Sequence, residues 1–357
     1  MPIGGHQQWA NRLRHYPRVV TADHDAPKPG GDPAPRARPR RRWLLWVRIA
    51  ISAVVLALII TRVPDFDWSG LVPAWGLANT GWLALAAAIT LAGFALSTLR
   101  WQAVMTAMGM RPTPLHRLFG HYVAGQFVSN VLPTTIGGDV VRVSRLSQEP
   151  HDPADAFASV VIERLTGWLV LPLITIVGFT LDPSLRDLGT ATTLALAIAA
   201  GTLVLLVVVL VAANHPRVLG RFAEREGWQR FAGAVHTGID RLRRRPAAAL
   251  WVVVVGLAYQ GSMVLAAAAA AAALEIPNVG LTVLAAFLPA VLITQVLPIS
   301  ISGLGVREGA FVLFLTPLGV PTEQAVALGL VLYALNLVMS LVGAPAFAMG
   351  SRRNAVV

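Results

Sequence analysis

Uninterrupted apolar stretches as long as a bilayer is thick recur along this chain. They constrain its fold more than any other feature. A helix rises about 1.5 Å per residue, so roughly 20 apolar residues cross a hydrocarbon core. Such runs lie at about 43–62, 82–99, 156–180, 188–213, 247–273 and 324–349. Of the 357 residues, 55% are hydrophobic and 13% are charged, about half the charged share of a soluble domain. In hydrocarbon the backbone must satisfy its own hydrogen bonds, which a helix does. The expected fold class is an all-α polytopic membrane protein with about six full transmembrane helices.

Charge then orients the helices. The net charge is +11, and Lys28 is the only lysine. In a soluble chain that balance would suit nucleic acid. Here the arginines sit between apolar runs, where they set topology and meet anionic lipid headgroups, so no nucleic-acid partner is expected. Arg36, Arg38, Arg40, Arg41 and Arg42 precede the first run, and Arg100, Arg111 and Arg117 follow the second. Eight arginines fill 214–246, and Arg352 and Arg353 end the chain. The alternate loops hold Asp65, Asp67, Asp182, Asp187 and Glu275, with Arg62 and Arg186 as their cations. The positive-inside bias places both termini and the 214–246 loop in the cytoplasm. Residues 1–42, polar, basic and rich in Pro and Gly, read as a disordered tail. Residues 43–349 read as the membrane domain, and 350–357 as a cytoplasmic C-terminal tail. Cysteine is absent, so neither a disulfide nor a thiolate metal site can form. No metal or cofactor is expected.

Two apolar stretches remain, about 115–150 and 281–320. If the first crossed once, the 214–246 arginines would face outward. Parity therefore makes it enter and leave from the cytoplasm, and makes 281–320 enter and leave from outside. Each stretch carries one copy of a phrase: "VLPTTIGGDVVRV" from Val131 to Val143, and "VLPISISGLGVRE" from Val296 to Glu308. Pairing Asn130 with Gln295 aligns Leu132/Leu297, Pro133/Pro298, Ile136/Ile301, Gly138/Gly303, Val141/Val306 and Arg142/Arg307. Two re-entrant helical hairpins from opposite faces form an inverted repeat, with halves at about 82–180 and 247–349. Chance likeness between two apolar, glycine-containing segments is the competing explanation.

The repeated phrase suits anion chemistry. Pro133 and Pro298 stop the entering half-helices, and Gly137, Gly138, Gly303 and Gly305 permit tight turns. The exiting half-helices start near Asp139 and Val306 with N–H groups that attract anions. Arg142 and Arg307 supply two-pronged donors for phosphate, and Asp139 and Glu308 can orient them. Asn130, Gln295, Thr134, Thr135, Ser300 and Ser302 add neutral hydrogen-bond partners. The competing reading has each arginine anchor its hairpin at the nearer interface. In "SVVIERLTGW", Glu163 and Arg164 point about 100° apart on a helix. One can meet Arg142 or Asp139 while the other reaches the interface; a buried ion pair that fixes helix register is the alternative. The candidate substrate-binding set is thus Arg142, Arg307, Asp139, Glu308, Glu163, Arg164, Asn130, Gln295, Gly138 and Gly303. Arg100 and Trp101 read as interface anchors. Tyr122, Tyr259, Tyr333 and Asn336 read as packing or interhelical hydrogen bonds, and the run Ala266–Ala273 as a closely packed helix face.

Together "LRWQAVMTAMG", "YVAGQFVSNVLPTTIGGDVVRVSRL", "ASVVIERLTGW" and "LPISISGLGVREGAF" resemble the lysylphosphatidylglycerol synthase transmembrane-region family, also called the flippase-like domain family, over about 43–349. The resemblance implies an integral protein of a prokaryotic cytoplasmic membrane that translocates lipid, or the translocating half of a larger enzyme. In the aminoacyl-lipid synthases a cytoplasmic transferase domain follows the membrane part. This sequence stops at Val357, so synthase activity is not carried over and a non-enzymatic transporter is expected. Its partner would be a membrane phospholipid or polyprenyl-phosphate lipid, with a separate synthase as a further partner. No nucleotide-binding loop is visible, which argues against direct ATP drive. Two alternatives stand beside this: a membrane-embedded lipid-modifying enzyme, which would need a base or nucleophile beside the arginines, and an accessory subunit of a lipid or glycan synthesis enzyme.

Overall fold

The computed structural model describes residues 76–131, 137–214, 228–296 and 303–353, together with four helical positions at Ala50, Val54, Ala57 and Thr61. The expected tail 1–42, most of the first expected crossing and the two hairpin tips lie outside the described residues. Pro133, Thr134, Thr135, Pro298, Ser300 and Ser302 are among the tip residues concerned. The described elements are helical, with no strand among them. They are α1 (Leu77–Ala107), α2 (Leu115–Val131), α3 (Gly137–Leu146), α4 (Pro153–Leu181), α5 (Thr190–Asn214), α6 (Trp228–Arg243), α7 (Pro246–Ala273), α8 (Leu281–Thr294), α9 (Val306–Leu315), α10 (Thr322–Ser340) and α11 (Gly343–Arg353). Five stretches among the described residues are long and apolar enough to cross a membrane: α1, α4, most of α5, α7, and Thr322–Met349.

The expected crossings at 82–99 and 324–349 each fall within a stretch long and apolar enough to span a membrane, and the structure adds detail to three expectations. The crossing at 82–99 is the middle of a 31-residue helix, because the polar residues at its end do not stop the apolar periodicity. The crossing at 324–349 is two helices, α10 and α11, joined by a turn at Leu341–Val342. At that break Gly343 lies so close to the Val123 carbonyl that a Cβ would collide with it. The basic 214–246 segment carries α6, which packs on α4. Ile239 of α6 joins Ile162, Met108 and Val252 in one buried cluster.

Hydrogen bonds sort the connections into two ends. At one end Thr113 Oγ1 meets His151 Nε2 at 2.9 Å, Arg117 meets Glu149 at 3.4 Å, and Arg241 donates to the Met108 carbonyl at 2.8 Å. At the other end Asn79 donates to Glu275 at 2.9 Å and Asn278 donates to the Leu318 carbonyl at 3.3 Å. The start of α2 therefore lies beside the end of α3, and the start of α8 beside the end of α9.

Small residues set how closely these helices approach, since lipid supplies no hydrophobic drive between them. The α1 helix lies along α7, with Gly93 against Met263 and Ser262. Ala266, Ala267, Ala269, Ala270, Ala271 and Ala273 are buried there. The α8 helix lies on α4, where Gly178 abuts the Ala286 backbone. Phe287 of α8 stacks on Phe314 at 5.4 Å and meets Phe179 edge-on at 5.4 Å. Hairpin α2–α3 packs on α4 and also on α10 and α11, while hairpin α8–α9 packs on α10 and also on α4 and α5.

Candidate functional site

Among the described residues, a polar cavity of about 320 Å³ is lined by α1, α2, α4, α7, α8, α9 and α10. Its cationic lining is Arg100, Arg164 and Arg307. Its amides are Gln126, Asn130, Gln260, Gln295 and Asn336, and its rings are Trp168, Tyr259 and Tyr333. Gln260 falls near the middle of the 28-residue α7. Ser129 and Asn130 close α2, and Gln295 and Val296 follow α8. Both hairpins therefore reach the cavity from their inner ends.

The first half of the molecule surrounds Glu163, whose side chain is 2% exposed. Its carboxylate accepts from Arg100 Nε at 3.0 Å and from Arg100 Nη2, from Arg142 Nη1 at 3.1 Å, and from Ser97 Oγ at 3.3 Å. The neighbouring Arg164 turns to another face and donates through Nε to Asp139 Oδ2 at 2.5 Å. Asp139 also lies 3.6 Å from Arg142. The Arg142 guanidinium stands 4.2 Å from the Trp101 ring centre and 5.1 Å from that of Tyr122. Cation–π contacts of this kind replace hydration that a buried cation has lost. Glycine makes the approach possible. A Cβ at Gly138 would fall on Ser129 and on the Gly125 carbonyl, and one at Gly125 would lie 2.8 Å from Arg142 Cγ.

The second half is built on one adjacent pair. Arg307 donates to Glu308 Oε1 through Nη2 at 2.7 Å and through Nε at 3.1 Å, and its guanidinium lies 5.2 Å from the Tyr333 ring centre. The other oxygen of Glu308 accepts the Gly305 N–H at 2.6 Å. That N–H at the start of α9, expected to face an anion, is thus taken by the chain's own carboxylate. Gly303 and Gly305 adopt φ of +80° and +83°, which suits glycine. Gly329 leaves room for the fully buried Glu308, since a Cβ there would come within 3.1 Å of it.

Of the sequence-predicted residues, the structure brings Arg164, Arg307, Asn130 and Gln295 to the cavity wall. Asp139, Glu163 and Glu308 stand behind it as partners of arginines. Gly138 sits in the close contact of α2 with α3, and Gly303 in the turn before α9. Arg142 is buried at 5% exposure but does not line the cavity; it lies behind Glu163. The reading of Arg100 and Trp101 as interface anchors is overturned, because they are 5% and 0% exposed. Glu163 draws Arg100 inward, and Trp101 Nε1 donates to Ser159 at 3.0 Å. Sequence reasoning also missed Tyr259 and Tyr333, which carry Arg100 and Arg307 on their faces, and Asn336, which reaches the cavity.

Charge does not balance here. Four arginines, Arg100, Arg142, Arg164 and Arg307, meet three carboxylates, Asp139, Glu163 and Glu308. Among the described residues one positive charge is left over beside the cavity. Arg100 Nη1 lies over Gly167 at the cavity wall and has no hydrogen-bond partner among the described residues. A buried, unmatched donor is costly, and an anion in the cavity would satisfy it.

The sequence model that describes the lysylphosphatidylglycerol synthase TM region matches residues 45–343. No curated protein matches the chain.

Proposed function

The chain belongs to the lysylphosphatidylglycerol synthase transmembrane-region family, and from that premise we propose that it translocates a phosphate-bearing lipid as a flippase or scramblase. The single observation that carries this reading is the cavity lined by Arg100, Arg164 and Arg307, with its surplus positive charge and the unpartnered Arg100 Nη1. Arginine presents a planar fork to phosphate oxygens and stays charged when buried. Charged side chains within a membrane domain face interior, water-filled paths by default. In this reading the headgroup enters the cavity while the acyl or polyprenyl chains stay in lipid. Arg307 and Arg164 hold the phosphate, and Arg142 acts through Glu163, fixing the carboxylate that positions Arg100.

The two hairpins supply the moving parts. They belong to halves related as an inverted repeat in a prokaryotic cytoplasmic membrane, with both termini and the basic loops inside. One hairpin opens the cavity to each side in turn. The basic end that carries Arg111, Arg117, Arg241 and Arg245 fits the cytoplasmic face.

The test is lipid exchange. Purified protein in liposomes should equilibrate a fluorescently labelled anionic phospholipid between leaflets, read by chemical quenching of the outer leaflet. Arg307→Gln and Arg164→Gln should each slow exchange about tenfold or more, the equivalent of losing one charge-assisted hydrogen bond. Exchange no faster than in empty liposomes, or equal rates in all three proteins, would remove the proposal.

A further inference from the structure

We propose, resting on the lipid-phosphate reading above, that the cavity takes a phosphoester whose headgroup is uncharged and hydroxylated, and that it rejects cationic, aminoacylated headgroups. The family description would suggest the opposite preference.

The first argument is the absence of acid from the wall. Among the described residues no Asp or Glu lines the cavity. The hairpin tips, Leu132–Ile136 and Leu297–Ser302, contain no acidic residue in their sequence. Glu163, Asp139 and Glu308 are each held by arginine. An aminoacyl ester of lysine brings two ammonium groups, and neither would find a carboxylate.

Aromatic faces are the other way to hold an ammonium group. Here Tyr259 and Tyr333 already carry guanidiniums, at 4.8 Å and 5.2 Å. Trp168 alone is left, and an ammonium over it would sit beside three arginines that repel it.

The second argument is what the wall does offer. Gln126, Asn130, Gln260 and Gln295 each border the cavity. An amide presents both donors and an acceptor. That combination matches hydroxyl groups, which also donate and accept. A site built to hydrogen-bond hydroxyls discriminates sharply against ligands that lack them. The volume of about 320 Å³ falls at the small end of ligand sites, enough for a phosphate with a polyol or one sugar, and not for acyl chains as well.

Lipid binding to the full chain can be titrated by native mass spectrometry from detergent. The probes are phosphatidylinositol, lysylphosphatidylglycerol and, as a soluble headgroup, glycerol 3-phosphate. Phosphatidylinositol should bind in an Arg307-dependent manner, and lysylphosphatidylglycerol about tenfold or more weakly. Gln260→Ala should weaken phosphatidylinositol several-fold, while Gln260→Glu should narrow or reverse the preference by placing one acid in the wall. Equal binding of both lipids, lost together in Arg307→Gln, would overturn the headgroup inference and leave the phosphate reading standing. No Arg307-dependent binding of either lipid would overturn the phosphate reading itself. Glycerol 3-phosphate binding as tightly as phosphatidylinositol would keep the headgroup chemistry and overturn the lipid as its source.

Discussion

At the scale of single residues, Glu163 does the most structural work. It is nearly inaccessible, and it is the common partner of Arg100 and Arg142. Removing its charge would strand two buried guanidiniums. Breaking a buried pair from one side costs about 3–5 kcal/mol, a large part of a typical total stability. Glu163→Gln should therefore lower the unfolding temperature in detergent sharply, with Glu163→Asp intermediate because it keeps the charge but shortens the reach. A thermal shift equal to that of a surface Glu→Gln change would contradict the network. How much of this site could be read beforehand differs by residue. Arg307, Glu308, Asp139 and Arg164 stand out in the sequence because charges interrupt apolar runs. Arg100 did not, because it fell one position past the expected helix end at residue 99 and so resembled a flank. The apolar run "WQAVMTAM" behind it was the signal that the helix continues to Ala107. Gln126 and Gln260 are single polar letters, and only the fold shows that they share a cavity.

Elements meet through glycine. Hairpin α2–α3 closes where Gly138 touches the Gly125 carbonyl, and a methyl group there has no space. Gly120 on the same hairpin has open space around its missing Cβ. Gly138→Ala should therefore destabilise by about 1–3 kcal/mol through overpacking. Gly120→Ala should be neutral or gain up to about 1 kcal/mol from helix propensity. Parallel thermal unfolding of the two variants checks this, and equal shifts would deny the close contact. The long helices were legible because twenty apolar residues have few other fates in a chain this poor in charge. The break at Leu341–Val342 was not legible, because the sequence there stays apolar and the close contact beside it is with Val123, more than two hundred positions away. The α6 helix was hidden for a different reason: arginines dominate the 214–246 segment that carries it.

At the scale of the whole molecule, the end of α2 and the residues that follow α8 border one polar cavity. The parity argument rests on arginine counts alone, and a charge count carries no knowledge of packing. It could not anticipate that Arg142 would be sealed behind Glu163 while Arg100 came forward. That exchange depends on which side of α4 each helix meets.

The central claim is that this cavity is wet, reachable and occupied by lipid phosphate during transport. Because the chain has no cysteine, Gln295→Cys places one reporter thiol at the cavity wall. Its modification by a membrane-impermeant, polar thiol reagent, added to either face of sealed proteoliposomes, is the most direct measurement. Labelling should proceed from both faces as the hairpins alternate, and anionic phospholipid should slow it relative to neutral lipid. A thiol that stays unlabelled from both faces, yet reacts fully once the protein is denatured, would contradict the account.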